Sequence, residues 1–246
     1  SVLIPNSVTT IGQSAFECCK NLKSVIIPAG VKTISQRMFS ECENLATIEL
    51  PDTLTKIDDG AFYQCSNLKS ISIPSGVTYI GKEAFCKCGE LLSIELPNQL
   101  QSIAHSTFKD CTSLGSIVIP GTVQTISAYA FNSCENLTSV KIKEGVMSIG
   151  NSTFIFCRKL KEIELPSTLI SIGKDAFDEC ESLQIITLNE NNGSFEVIDG
   201  AIYDQNKRLI NAAPGFVSGK FIIPEGTKYI NENAFKDCNH IKSIEM

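Results

Sequence analysis

The sequence predicts an α/β-type solenoid, a right-handed stack of short rungs. A parallel β-sheet covers one face, with short helical turns or irregular segments on the other. Three observations predict it. Phenylalanine recurs at Phe16, Phe39, Phe62, Phe85, Phe108, Phe131, Phe154 and Phe177 with no slip in a period of 23 residues. A cysteine follows each one three positions later, from Cys19 to Cys180, and a leucine six positions later, from Leu22 to Leu183. An alternating β-branched run then leads in six copies to a proline: Pro28, Pro51, Pro74, Pro97, Pro120 and Pro166. A unit this short cannot close a hydrophobic core alone, but stacked on copies of itself it can.

The unit that starts at Phe62 shows each element. Phe62, Cys65, Leu68, Ile71 and Ile73 form the structural row expected to face inward. Lys69–Ile73 alternates and is β-branched, so it reads as a short strand with Ser70 and Ser72 outward. Repetition at one period pairs such strands in parallel, about 4.8 Å apart. Pro74 has no N–H and ends the ladder. Gly76–Ile80 turns the corner and returns with Val77 and Ile80 inward. Gly81–Cys88 is then expected as a short helical turn that buries Ala84 and Phe85. Lys143 and Asn189 stand in the proline position of two copies.

The repeat runs through residues 1–246 as a single elongated domain of about ten rungs. Val2 and Ile4 sit 23 residues before Val25 and Ile27, and Ile244-Glu245-Met246 stops inside a strand. The chain therefore reads as a stack truncated at both ends. The period breaks once. The next phenylalanine of the row after Phe177 is Phe235, 58 residues on, followed by Cys238 and Ile241. The intervening stretch is expected to hold a hairpin-like insertion at 189–220, with strands at Phe195–Tyr203 and Arg208–Asn211 and a turn at 204–207.

Eleven cysteines in 246 residues raise the question of disulfides or zinc. Nine belong to the row, one per rung, where a small thiol fills interior space. Parallel side chains disfavour rung-to-rung bridges, so free buried thiols are expected. Cys86-Lys87-Cys88 is too short and too isolated for a metal site. No metal and no cofactor are expected.

Residues 73–97, IPSGVTYIGKEAFCKCGELLSIELP, and their copies resemble the leucine-rich repeat class, and within it the BspA-like bacterial type. Leu68, Ile71 and Ile73 supply the leucine-rich pattern. The cysteine row precedes Leu68 instead of following Ile73, which sets this type apart. Ile198-Asp199-Gly200, Tyr203, Leu209-Ile210 and Pro214-Gly215 match an insertion that BspA-like proteins often carry. The resemblance implies a cell-surface or extracellular location and adhesion to host or bacterial proteins.

Catalysis finds little support. His105 and His240 lie about six rungs apart and cannot cooperate. Glu162 and Glu164 share a strand face with Cα atoms about 6.5 Å apart, which overlaps glycosidase geometry. An open sheet face, however, gives neither of them a pocket to raise its pKa. Two outward rows cross the sheet. One reads Ile26, Glu49, Ser72, Glu95, Val118, Lys141, Glu164, Thr187; the other reads Ser24, Thr47, Ser70, Ser93, Ser116, Ser139, Glu162, Ile185. The candidate binding residues are Glu49, Ser72, Glu95, Lys141, Glu162 and Glu164. The expected function is a non-enzymatic interaction module that binds extracellular or surface proteins. A structural spacer or stalk is the alternative, and a carbohydrate-active enzyme ranks third. A net charge of −6 argues against nucleic acid. No apolar run is long enough for membrane insertion, and a monomer is favoured.

Overall fold

Residues one repeat apart sit side by side. Ser116–Ile119 pairs in parallel with Ser139–Ile142, and that strand with Glu162–Leu165, always at an offset of 23. The computed structural model describes residues 2–215 and 218–246; position 1, and positions 216 and 217 of the insertion expected at 189–220, lie outside the described residues. Among the described residues eleven forward strands follow one another from Val2–Leu3 to Ser243–Glu245, in step of 23 except across the insertion. The fold is a parallel β-solenoid. The forward strands of the early rungs are shorter than the expected five residues. Ser70–Ile71 is paired, while Ile73 lies past the strand end, half-buried against the core.

The helical turns and the α/β class do not survive. The described residues contain no helix. In the segment expected to be helical, Glu83, Phe85 and Lys87 donate their N–H groups to His105, Thr107 and Lys109 of the next rung, at 3.0, 2.9 and 2.8 Å. Ala84, Cys86 and Cys88 donate three residues back along their own rung. A helix needs every N–H for its own i−4 carbonyl. Here every second one is spent on a neighbour, so the segment is a chain of turns. Two residues per rung therefore adopt left-handed backbone, two before and two after the phenylalanine: Glu83 (φ 55°) and Lys87 (φ 63°) here, Arg37 and Glu41, Ser106 and Asp110 elsewhere. None of the residues at these positions is Val, Ile or Thr, the β-branched types this conformation penalises most.

A second ladder was not anticipated. The return segments also pair in parallel, two residues at a time: Lys56 with Tyr79, Ile57 with Ile80, Thr125 with Ser148 and Ile126 with Ile149. The solenoid thus has two strand-bearing sides, each divided into shorter ladders, joined by a proline corner on one side and the chain of turns on the other.

The core lies between them in continuous rows. Phe62, Cys65 and Leu68 are fully buried and Ile71 nearly so. The phenylalanine rings from Phe16 to Phe177 stack with centroids 5.3–5.8 Å apart and planes within 13° of parallel, inside the range of favourable offset stacking. The thiols form a row of their own. Cys65 Sγ donates to the carbonyl of Phe39 at 3.1 Å, Cys88 to Phe62 at 3.2 Å, and Cys111 to Phe85 at 3.1 Å. Cys42, Cys134, Cys157 and Cys180 repeat the contact. Each carbonyl also receives the N–H of the cysteine three residues on in its own rung, so the cysteine row satisfies a second lone pair that leucine would leave bare.

The break in the period has a simple geometry. Ala212 donates its N–H to Ala234 at 2.8 Å, as Phe154 does to Ala176. Ala212 therefore takes the phenylalanine's place in a rung 35 residues long, and Phe235 follows it after a regular 23. The extra length is a hairpin. Phe195–Ile198 and Ala201–Asp204 are antiparallel, turning at Asp199 and Gly200 (φ 48° and 75°). The single strand expected at Phe195–Tyr203 is thus two strands, folded at the Asp-Gly pair. Arg208–Ala212 then pairs antiparallel with Ala201–Asp204 and parallel with Tyr229–Ile230.

Candidate binding face

The outward rows lie on the forward sheet as flat, regular lines. In register, Ser139 sits beside Glu162 and then Ile185, and Lys141 beside Glu164 and then Thr187. These six side chains border a shallow depression of about 380 Å³. Lys141, Glu162 and Glu164 are brought together there. Glu49, Ser72 and Glu95 are exposed on the same face but do not join them; Glu49 lies four rungs from Lys141, about 19 Å at strand spacing.

Sequence reasoning undervalued the aliphatic members of these rows. Ile185 is 50% exposed, Val118 48% and Ile26 54%. The same rows named them, but a short strand with alternating serine and isoleucine reads as polar-out on average. No ion pair joins Lys141 to Glu164 among the described residues.

The other candidate groups are structural. His105 packs edge-on against Tyr129 at 5.5 Å, and His240 is exposed. Burial pushes the Cys86 thiol up to about 12, and pushes Cys65, Cys88, Cys111, Cys134 and Cys157 well above the usual thiol range. Such groups stay protonated and are poor nucleophiles and poor ligands. Among the described residues no three His, Cys, Asp or Glu side chains converge as a metal site, and no helix is long and apolar enough to cross a membrane.

Comparison with known proteins agrees with the geometry. The BspA type leucine rich repeat region matches residues 1–115, 78–209 and 218–246, in six copies. A leucine-rich repeat protein of Treponema pallidum is 35% identical over 61% of this chain and 70% of its own, with a TM-score of 0.59. One from Bacteroides ovatus is 25% identical over 99% of this chain and 71% of its own, with a TM-score of 0.70. A leucine-rich cell surface protein of Faecalibacterium prausnitzii is 25% identical over 92% of this chain and 70% of its own, with a TM-score of 0.76. No curated protein matches. An unslipped 23-residue period, a thiol row bonded to the preceding phenylalanines and the matched repeat pattern lead to one conclusion: the chain belongs to the BspA-type leucine-rich repeat family.

Proposed function

We propose that this chain is a non-enzymatic protein-interaction module of a bacterial cell-surface or secreted protein, adhesive toward host or bacterial proteins, and that its forward sheet face makes the contact. The observation that carries this reading is the group around Ile185. An exposed aliphatic side chain sits among Lys141, Glu162, Glu164 and Thr187 on a rigid two-sided frame. An apolar centre with a charged rim is how protein interfaces are built. The cell-surface description of the Faecalibacterium relative supports the location.

The test is a binding screen against extracellular-matrix and bacterial surface proteins. Wild type is compared with Ile185→Asp and with a variant combining Glu49→Lys, Glu95→Lys, Glu162→Lys and Glu164→Lys. A saturable partner lost in both variants supports the face. A partner retained by both moves the contact elsewhere on the solenoid. The spacer reading has its own observation in the continuous phenylalanine stack, which stiffens the rod whether or not the face binds; absence of any partner in the screen favours it.

A further inference from the structure

On the turn side of the solenoid, the rung that holds the insertion is cut short. Between Leu209 of the return strand and Ala212 in the phenylalanine place there are two residues, Ile210 and Asn211. The next rung has four between Ile230 and Phe235. Ile210 and Asn211 stay in the strand paired with Ala201–Asp204, so this rung makes no outward turn there, and the two flanking rungs meet across it. Lys174 Nζ meets Glu232 Oε2 at 2.9 Å, and Asn233 Nδ2 donates to Asp175 Oδ1 at 3.1 Å. Both contacts join residues 58 apart. These four residues help to line a cleft of about 400 Å³, together with Arg208, Asn211 and Tyr229. That volume falls in the range of small-molecule sites, about 300–1,000 Å³.

Asn211 is the informative residue. It is 8% exposed and lines the cleft, yet its Oδ1 has no hydrogen-bond partner. A buried carbonyl oxygen left unmet is unfavourable, so the fold keeps it at the expense of stability. The charged groups around it have partners within the protein. Lys174 pairs with Glu232, Lys236 with Asp178 at 3.1 Å and Arg208 with Asp204 at 3.9 Å, and Asp175 accepts from Asn233. A free anion would face Asp175 and Glu232, and a free cation would face Lys174 and Arg208. The groups left to bind are amides and a phenol ring. Amides both donate and accept, as sugar hydroxyls do. Tyr229 is 56% exposed and offers an apolar ring beside a polar tip, with Arg208 Cζ 5.0 Å from its centroid.

We propose that this cleft binds a neutral carbohydrate, one pyranose unit at the end of a glycan, with the Asn211 amide bonding ring hydroxyls and Tyr229 covering a sugar face. The site is separate from the forward sheet face and does not depend on it.

Titration calorimetry of the 246-residue chain with maltotriose, cellotriose, chitotriose and mannotriose tests this. Saturable one-to-one binding of at least one of them is expected. Asn211→Leu should abolish it while leaving the melting temperature unchanged or higher, because an apolar side chain relieves the unmet amide. Tyr229→Ala, at an exposed position, should weaken binding about tenfold or more, the loss of roughly one ring contact. No saturation with any of the four, or binding that survives both substitutions, overturns the proposal.

Discussion

Lys236 places its ammonium 3.1 Å from Oδ2 of Asp178, a carboxylate 58 residues earlier in the chain whose side chain is 2% exposed. Asp237 completes the junction by accepting the N–H of Glu179 at 3.3 Å. These contacts tie the regular stack to the rungs beyond the insertion. Burial holds the Asp178 carboxyl above the usual carboxylate range, and the bond to Lys236 offsets only part of that rise.

Lys236→Met leaves that carboxylate buried without its cation. It should lower the unfolding free energy by about 2 kcal/mol. Adding Asp178→Asn should recover part of the loss. A double-mutant cycle in urea reads both, and additive effects would show that the two groups do not interact.

The phenylalanine stack predicts a larger effect. Phe108 is fully buried between Phe85 and Phe131, with ring centroids 5.6 and 5.4 Å away. Phe108→Ala should cost about 3–5 kcal/mol, measured by denaturant unfolding. A cost under about 1 kcal/mol would mean that the rungs collapse onto the gap.

The thiols divide sharply by access. Cys18 and Cys19 are exposed, and the other nine are buried. Brief alkylation of the native chain, read by mass spectrometry, should label those two alone. Full labelling should require denaturant. Cys111→Ala should destabilise by about 1 kcal/mol, through a small cavity and the lost bond to Phe85.

Glu144 carries the pH prediction. Its carboxylate accepts bonds from Asn189 Nδ2 at 2.6 Å, from the Ser167 N–H at 3.0 Å and hydroxyl at 2.8 Å, and from the Thr168 N–H at 3.3 Å. The bond from Asn189, then those from Ser167 and Thr168, hold its pKa down at about 2. A carboxylate depressed in the fold stabilises above its unfolded value, 4.5, and that stabilisation fades as the pH falls toward 2. The group is exposed and screened by solvent, so the effect is small. Urea melts of wild type and Glu144→Gln should differ at pH 6 and converge near pH 2. A constant difference across that range would assign the effect to packing.

Local identity and period carried different parts of this structure. The inward row, the strands and the thiol row were legible because each depends on residue type at a fixed offset. The turns at 81–88 were not. Ala84 and Phe85 suit a helix, and only contacts with residues 22 positions away divert the N–H groups. The return ladder escaped notice because two-residue strands leave no alternating pattern. On the forward sheet face, the rows placed Lys141, Glu162 and Glu164 together, while Ile185 was masked by its serine neighbours. Asn211 gave no signal at all. Its position comes from a strand that runs on where other rungs turn, visible only once Ala212 is seen to occupy a phenylalanine's place.

The thiol row has a chemical corollary. Each of its buried sulfurs can meet an oxidant only while its own rung is open, because closed rungs hold it against a carbonyl. Oxidised cysteine therefore accumulates in proportion to the time each rung has spent open. The chain writes its own history of local opening, one sulfur per rung, and peptide mapping after exposure to peroxide would read that record position by position.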